Sequence, residues 1–255
     1  MPKTIDFDQV ADIYDIYVTT QLDVAFFIKE AQQASGAVLE LMSGTGRVSL
    51  PVLEQGVALS CVDYSEKMLA VLRDKLKAKE LTAEIHQLDV CDLDLEQQFE
   101  LIFIPFHSFS EIISPKKQVE ALRRIYDHLT PSGRFICTLH NPAVRLKTAD
   151  GLLRFRGQFN YEHNQLVLSH TEQYDPQSSC VNGLQFFEHY DINRNLLAKK
   201  MLDIKFFVHD YYDFRTLVTS VGFQVVTLYG DYHYAAYEAK QSPFMIWVLQ
   251  KWPVF

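Results

Sequence analysis

The segment Val38-Leu39-Glu40-Leu41-Met42-Ser43-Gly44-Thr45-Gly46 joins a short apolar run to a loop that contains two glycines. The apolar residues predict a buried strand, and the loop predicts a tight turn that opens a helix near Arg47. Gly44 and Gly46 have no Cβ, so the backbone can turn sharply there and a ligand can approach it closely. Ligands of open α/β sheets bind at the carboxyl ends of strands, so this loop predicts a binding site. A purely structural turn is the alternative.

Strand-like and helical patterns alternate on both sides of this segment. Residues 1–37 are predicted to be helical because apolar side chains recur at helical spacing, and Gly36 is predicted to cap the end of this segment. Further strands are predicted at 57–63, 83–88, 101–105 and 134–139, with helices that begin after Ser65 and at Gln118. This alternation predicts a parallel sheet with helices on both faces, and strands that are apolar throughout fit a sheet buried on both sides.

The pattern changes after residue 150. Polar and apolar residues mix in four segments separated by turn residues, at 152–159, 166–174, 184–190 and 197–207. They predict three or four antiparallel strands. The α/β pattern then returns with a helix at 210–221 and strands at 223–229 and 244–250. The predicted organisation is therefore N-terminal helices and a ligand-binding core at 1–145, an antiparallel β insertion at 146–208, and a C-terminal part at 209–255 that completes the core sheet.

Composition narrows the classes of function. The 255 residues include 24 basic and 32 acidic ones, which gives a formal net charge of −8, whereas proteins that bind nucleic acid usually have the opposite balance. No apolar run reaches the roughly 20 residues of a membrane helix, and no secretory signal is visible, so a cytoplasmic protein without membrane contact is expected. The four cysteines, Cys61, Cys91, Cys137 and Cys180, have no zinc spacing, so no metal site is predicted.

Carboxylates stand at the ends of three successive predicted strands. Asp63 follows Glu40 by 23 residues, and Asp89 ends the third strand. A carboxylate in the position of Asp63 can accept hydrogen bonds from both hydroxyls of a ribose. A dinucleotide site would need a third glycine where this chain has Ser49, and an acidic residue beside the loop suits a cation better than phosphates. The pattern therefore favours a cationic adenosine cofactor, and an NAD-dependent oxidoreductase is the weaker alternative.

These segments resemble the class I S-adenosylmethionine-dependent methyltransferases, in particular those that act on small molecules. The matching segments are 38–47, 61–69, 88–90, 99–106 and 129–135. One departure is Met42, because the family usually has glycine there. The resemblance implies a Rossmann-like, seven-stranded, mainly parallel sheet with helices on both faces and an antiparallel β insertion after strand five.

The resemblance also implies the roles of individual residues. It assigns S-adenosyl-L-methionine to Tyr14, Glu40, Met42, Ser43, Gly44, Gly46, Arg47, Asp63, Tyr64, Met68, Asp89, Val90 and Phe106. The methionine moiety would bind at Glu40 and the glycine loop, and the ribose at Asp63. From their place near the predicted strand ends, His107, Glu111 and His140 are candidates for proton transfer, and Tyr14 completes the predicted catalytic residues. Tyr14 and Tyr17 resemble the N-terminal aromatic lid of small-molecule members, and an ordinary amphipathic helix face is the alternative.

The function implied by the resemblance is transfer of a methyl group from S-adenosylmethionine to nitrogen or oxygen of a small metabolite. Two alternatives remain open: a non-catalytic S-adenosylmethionine-binding regulator, and a methyltransferase that acts on RNA or protein. The aromatic residues of the insertion are expected to roof the active site, to form a homodimer face, or to make a small core of their own.

Overall fold

A seven-stranded sheet forms the frame of the protein in a computed structural model that describes residues 4–252. Its strands are β1 (Val38–Leu41), β2 (Leu59–Asp63), β3 (Glu84–Gln87), β4 (Phe99–Ile104), β5 (Leu129–His140), β10 (Phe223–Tyr229) and β11 (Phe244–Lys251). They lie in the order β10-β11-β5-β4-β1-β2-β3. Strand β11 is antiparallel to both of its neighbours, and the other strands run parallel to one another. The predicted Rossmann-like sheet is confirmed.

Helices cover both faces of this sheet, as the alternating pattern predicts. They are α1 (Tyr14–Tyr17), α2 (Val24–Gln32), α3 (Ser49–Glu54), α4 (Glu66–Ala78), α5 (Pro115–His128), α6 (Pro142–Arg145) and α7 (Tyr211–Val221). Leu39 and Leu41 pack on the side of α5 and α7, whereas Val38 packs on the side of α2, α3 and α4. Strand β1 is therefore buried on both faces. Within residues 4–252, no helix combines the length and apolar character needed to cross a membrane.

Helix α4 begins where the sequence predicts, and the N-terminus of this helix holds part of the site in place. The Ser65 hydroxyl accepts a hydrogen bond from the amide of Met68 at 3.2 Å, so Ser65 is the N-cap. This cap ends the extended chain directly after Asp63 and Tyr64. Both residues are thereby held at the carboxyl end of β2, next to the loop that follows β1.

The predicted insertion after strand five is confirmed as a four-stranded antiparallel sheet. Its strands are β6 (Arg154–Tyr161), β7 (Asn164–Asp175), β8 (Cys180–Tyr190) and β9 (Leu196–Phe207), paired in that order. Alternate residues of one face, among them Leu166, Leu168 and Phe187, pack against Ile5 and Val10 of the N-terminal segment. The insertion sheet therefore shares an apolar layer with the start of the chain.

The N-terminal region differs from its prediction. Residues 1–3 lie outside the described part, and residues 4–37 contain a short 3-10 helix (Phe7–Gln9), α1 and α2 with non-helical chain between them. The β-branched run at 18–20 disfavours helix, and the Thr20 carbonyl accepts a hydrogen bond from Arg47 at 3.0 Å. Gly36 is not a cap, because α2 ends at Gln32. A Cβ at Gly36 would lie 3.3 Å from the Glu100 Cβ, so its lack of a side chain permits close packing.

Candidate active site

A small cleft opens at the carboxyl ends of β1 and β4. Its volume is about 40 Å³, and it is lined by Tyr14, Glu40, Met42, Ser43, Gly44, Thr45, Arg47, Val48, Pro105, Phe106 and Ser108. Seven of these lining residues are among those for which the sequence predicts contact with the cofactor, so the fold brings these seven together. Sites for small ligands usually enclose a few hundred Å³, so the cleft is nearly closed.

The loop after β1 depends on a left-handed backbone. Met42, Gly44 and Gly46 have φ angles of 58°, 55° and 83°. A Cβ at Gly46 would lie 2.4 Å from the Leu72 Cδ1, so neither the backbone conformation nor the packing accommodates a side chain there. Met42 adopts the same left-handed conformation without being glycine, which explains physically why glycine is the usual residue at this position.

The loop amides are already bonded within the protein. The amide of Ser43 donates to the Val62 carbonyl at 3.0 Å, and the amide of Gly46 donates to the Ser43 carbonyl at 3.0 Å. The amide of Gly44 donates to the carboxylate of Asp63 at 2.8 Å. A pyrophosphate site needs such amides to point at the ligand, so this loop does not provide a dinucleotide cradle.

Asp63 connects the ends of β1 and β2. Its second carboxylate oxygen accepts a hydrogen bond from the amide of Ser65 at 2.8 Å, and the residue is 7% exposed. The bond from Gly44 and the bond from Ser65 fix the orientation of the carboxylate. Asp63 therefore stands beside the glycine loop, where the sequence places the ribose.

Glu40 is a carboxylate buried beneath this loop. It is 1% exposed, and it accepts a hydrogen bond from the Ser49 hydroxyl at 2.5 Å. Burial raises its pKa to about 8, although Ser49 and Arg47 act in the opposite direction. Since a buried carboxylate is stabilised by a nearby positive charge, the cleft suits a cationic ligand better than an anionic one.

The guanidinium of Arg47 is paired with a carboxylate other than that of Glu40. Arg47 therefore compensates the charge of Glu40 only in part. Both of its terminal nitrogens bond Asp23, at 2.5 and 2.6 Å. Its guanidinium also lies 4.6 Å from the centroid of the Phe106 ring. Asp23 was not predicted from the sequence, since no motif connects residues 24 positions apart. The ion pair between Arg47 and Asp23 holds the chain before α2 against the end of the loop that follows β1.

The N-terminal segment closes the cleft from outside. The hydroxyl of Thr45 donates to Asp15 at 2.6 Å, and that carboxylate also pairs with Lys75 at 2.6 Å. The hydroxyl of Tyr64 donates to the carbonyl of Ile5. Tyr14 lines the cleft, whereas the ring of Tyr17 packs on Phe187 of the insertion with 5.0 Å between centroids. The segment is thus tied to both the core and the insertion.

The residues predicted for proton transfer separate into two groups. Glu111 ends a 3-10 helix, Ser108–Glu111, and burial followed by the charge of Asp63 raises its pKa to about 8. Glu111 in turn raises the pKa values of Tyr14 and Tyr64, after the larger effect of burial. Glu111 is therefore within electrostatic reach of Asp63, Tyr14 and Tyr64.

His107 and His140 form the second group. Their rings are stacked with 3.7 Å between centroids. Burial lowers the pKa of His107 well below its ordinary value and that of His140 to about 3, and Arg145 lowers both further. Both imidazoles are therefore neutral near pH 7, so neither one can take up a proton there.

The remaining predicted cofactor residues lie around the cleft without lining it. Asp89 accepts a hydrogen bond from the amide of Cys91 at 2.9 Å and stands 3.8 Å from the Lys117 ammonium. Val90 is buried in the core, and the Met68 Cε lies 3.5 Å from the Cβ position of Gly44. The expected adenine contacts of Tyr64, Met68, Asp89 and Val90 stay predictions.

Comparison with known proteins identifies a methyltransferase domain within the chain. Residues 38–133 match the family of methyltransferase domains. The chain is 25% identical over 253 residues to a glycine/sarcosine N-methyltransferase of Halorhodospira halochloris, which covers 96% of this chain and 86% of that protein. It is 31% identical over 150 residues to a demethylmenaquinone methyltransferase of Clavibacter sepedonicus, which covers 55% of this chain and 59% of that protein.

The shared fold extends beyond the matched domain. The structure of the CcbJ methyltransferase from Streptomyces caelestis superposes with a TM-score of 0.81 at 24% identity, over 98% of this chain and 99% of that one. Several curated methyltransferases are matched over only about half of their own length. Residues 38–133 therefore form a methyltransferase domain, and the fold of the whole chain matches that of solved S-adenosylmethionine-dependent methyltransferases.

Proposed function

We propose that this protein binds S-adenosylmethionine in the cleft between β1 and β4 and transfers its methyl group to nitrogen of a small metabolite. The observation that carries the proposal is the set of carboxylates around the cleft, Glu40, Asp63 and Glu111, with the loop amides engaged inside the protein. Such a set favours a cationic adenosine cofactor over a dinucleotide. Nitrogen is favoured over oxygen because a relative aligned along nearly the whole chain is named as an N-methyltransferase.

The residues present fit this cofactor. Glu40 offers a buried carboxyl to the amino acid end, where a bound ammonium would favour its ionised form, and Gly44 lines the cleft without a Cβ. Asp63 offers its carboxylate to the ribose. S-adenosylmethionine supplies a methyl group on a positively charged sulfur, which is electrophilic without help from a metal.

The chain's own contribution to the reaction is alignment, exclusion of water and management of one proton. Tyr14 and the segment that carries it cover the cleft and exclude water. An acceptor amine that takes up the methyl group of the cofactor would have to lose a proton. Burial raises the pKa of Glu111 to about 8, so its carboxyl is a stronger base than an ordinary one, and the ionised fraction, which grows as the pH rises from 7, can accept this proton.

Calorimetric titration with S-adenosylhomocysteine, with NAD as the control ligand, tests cofactor binding. We expect binding of S-adenosylhomocysteine alone, weakened about tenfold or more in Glu40→Gln, because loss of a charged partner in a buried site is costly. Glu84→Gln is the matched control, since Glu84 lies on β3 with its side chain 69% exposed. Binding of NAD alone would contradict the proposal.

Transfer of a labelled methyl group to a panel of small amines and alcohols then separates an enzyme from a non-catalytic regulator. Labelling of amines supports the proposal, and labelling of alcohols alone would move the acceptor atom to oxygen. Cofactor binding with labelling of added RNA or protein and of no small molecule would favour the macromolecular alternative.

A further inference from the structure

The insertion sheet has one covered face and one open face. Its inner face, which includes Phe187, packs against the N-terminal segment. Because side chains alternate along a strand, every second residue of each strand points to the opposite, outer face. The strand register places one residue of each strand in a line across this outer face: Phe155, Ser169, Phe186 and Met201. We call these four residues the outer row.

The outer row is mostly apolar and lies on the surface. Phe155 is 67% exposed, Met201 is 57% exposed, and Phe186 between them is partly exposed. None of these three side chains belongs to the apolar cores formed by residues 4–252. Within the same range, most of the exposed large apolar side chains lie between residues 152 and 201. Such a concentration of exposed apolar area marks an interaction surface.

The outer face has the area that a stable dimer needs. Its four strands are 8, 12, 11 and 12 residues long. At about 3.4 Å per residue and about 4.8 Å between strands, they give a face of about 700 Å². A stable protein–protein interface buries about 800 Å² on each partner. A second sheet laid on this face would therefore cover nearly the area of a complete interface.

The charges beside the outer row complement a second copy related by a twofold axis. On the outer face of β9, Met201 lies midway between Lys199 and Asp203. The ammonium of Lys199 pairs with Glu188 at 2.8 Å and lies 5.3 Å from the centroid of the Phe186 ring, which places it beside the outer row. A twofold axis along the outer row reverses the strand direction. Met201 then faces its own copy, and Lys199 faces Asp203 of the second copy.

The balance of charge favours a second copy over a lipid surface or a nucleic acid. The outer face carries charges of both signs, at Glu188, Lys199 and Asp203, and the chain has a formal net charge of −8. Anionic lipids and nucleic acids attract surfaces with an excess of positive charge. An apolar strip between charges of opposite sign instead matches a copy of itself.

We propose that the outer face of the insertion sheet is the interface of a homodimer, in which two insertion sheets stack face to face about a twofold axis along the outer row. Antiparallel sheets stacked in this way lie about 10 Å apart and share one apolar layer. The inner face keeps its contacts with the N-terminal segment, so the dimer leaves the cofactor cleft unchanged. The inference is independent of the proposed function, because it concerns only contacts between two copies.

Sedimentation equilibrium of the full chain over a wide range of concentration tests the dimer. We expect a reversible equilibrium between monomer and dimer. Phe155→Glu and Met201→Glu each place a carboxylate against its own copy, so each should raise the dissociation constant of the dimer about tenfold or more. Val226→Glu is the matched control, since Val226 is 50% exposed on β10, an edge strand of the other sheet.

Circular dichroism establishes that each variant keeps its fold before its mass is interpreted. A chain that is monomeric at every concentration overturns the proposal. An equal rise of the dissociation constant in Val226→Glu also overturns it, because the effect would then not be specific to the outer face.

The same variants separate stacking of the faces from pairing of the edges. Strand β9 is an edge of the insertion sheet, and pairing with a second β9 would bring Met201 close to the partner. Phe155 lies on β6, at the opposite edge, and would stay outside such a contact. Loss of the dimer in both Phe155→Glu and Met201→Glu supports the stacked faces. Loss in Met201→Glu alone overturns them.

A mixture of two charge variants tests the twofold axis itself. Lys199→Glu places a carboxylate opposite Asp203 of the second copy, and Asp203→Lys places an ammonium opposite Lys199 of the second copy. Each variant alone therefore opposes like charges twice, and we expect its dimer to dissociate more readily. A dimer of one chain of each variant pairs opposite charges at both places. We expect the equimolar mixture to dimerise more tightly than either variant alone, and a mixture that does not overturns the proposed axis.

Vesicles of phosphatidylglycerol and phosphatidylcholine test the alternative occupant. We expect the protein not to sediment with them. Sedimentation with the vesicles that Phe155→Glu abolishes and Val226→Glu does not would assign the outer face to a lipid surface and overturn the proposal.

Discussion

The cofactor cleft and the junction between the core and the insertion, formed by His107, His140, Arg145, His170 and Glu172, are built from different kinds of contact. The cleft is shaped by backbone bonds of the 42–46 loop and by glycines with positive φ. The junction is shaped by side chains of four elements, joined by an ion pair and a stacked pair of imidazoles. A backbone-built site tolerates few residue types, whereas side-chain pairs can be exchanged without moving the main chain. The contrast implies that the side chains of the junction can change while the backbone of the cleft stays constant.

The largest expected effect comes from a buried long-range ion pair beside the cleft, Arg47 with Asp23. Arg47→Met leaves Asp23, 2% exposed, without its cation, and breaking a buried pair in this way costs about 3–5 kcal/mol. The measurement is the free energy of unfolding in urea. Arg73→Met is the control, because Arg73 and Glu66 are 43% and 52% exposed and such pairs contribute about 1 kcal/mol or less. Equal losses in the two variants would mean that backbone contacts alone hold the cleft.

The glycine loop should be the next most sensitive part. Gly46→Ala places a Cβ 2.4 Å from the Leu72 Cδ1 at a φ of 83°, so it combines overpacking with backbone strain. We expect a loss of about 2–4 kcal/mol in the free energy of unfolding. Gly56→Ala has a φ of 79° but no atom within 4 Å of the new Cβ, and strain alone predicts about 1–2 kcal/mol. If Gly46→Ala and Gly56→Ala lowered the free energy of unfolding by the same amount, Leu72 would have moved aside without cost.

The same contrast explains how far the sequence predicts the structure. The sheet, its helices and the loop residues Glu40, Gly44 and Gly46 follow from local patterns, because strand ends and tight turns have short-range signatures. Pairs such as Arg47 with Asp23 or Arg145 with Glu172 leave no such signature, since their partners are distant in the chain. The prediction for the N-terminal region is wrong in part. Its short helices are stabilised by tertiary contacts, and the periodicity of the sequence does not reveal such contacts.

The pH dependence of stability isolates the buried carboxylate beneath the loop. The pKa of Glu40 is about 8 in the folded protein against an ordinary value of 4.5, so between these values the folded state binds more protons than the unfolded state. The free energy of unfolding therefore falls as pH rises through this window, by at most about 1.4 kcal/mol per pH unit for one group. Glu40→Gln should remove this contribution, and Glu84→Gln should not.

Urea unfolding at intervals between pH 5 and 8 measures both slopes. Glu111 contributes in the same direction, because its pKa is also raised to about 8, so Glu40→Gln reduces the slope without abolishing it. An unchanged slope in Glu40→Gln would mean that Glu40 is ionised throughout and already compensated, and that the cleft has no need of a cationic ligand.

The smallest expected effect measures how much strain the loop stores at Met42. Met42→Gly and Met42→Ala both remove the side chain, so the difference between them reports mainly the φ of 58° at this residue. A left-handed residue with a Cβ costs about 1–2 kcal/mol, and glycine loses about 0.5–1 kcal/mol through the entropy of the unfolded chain. We expect Met42→Gly to be more stable than Met42→Ala by about 0.5–1 kcal/mol in urea unfolding. If alanine were the more stable, the loop would have relaxed to a negative φ, and its backbone would not be what shapes the cleft.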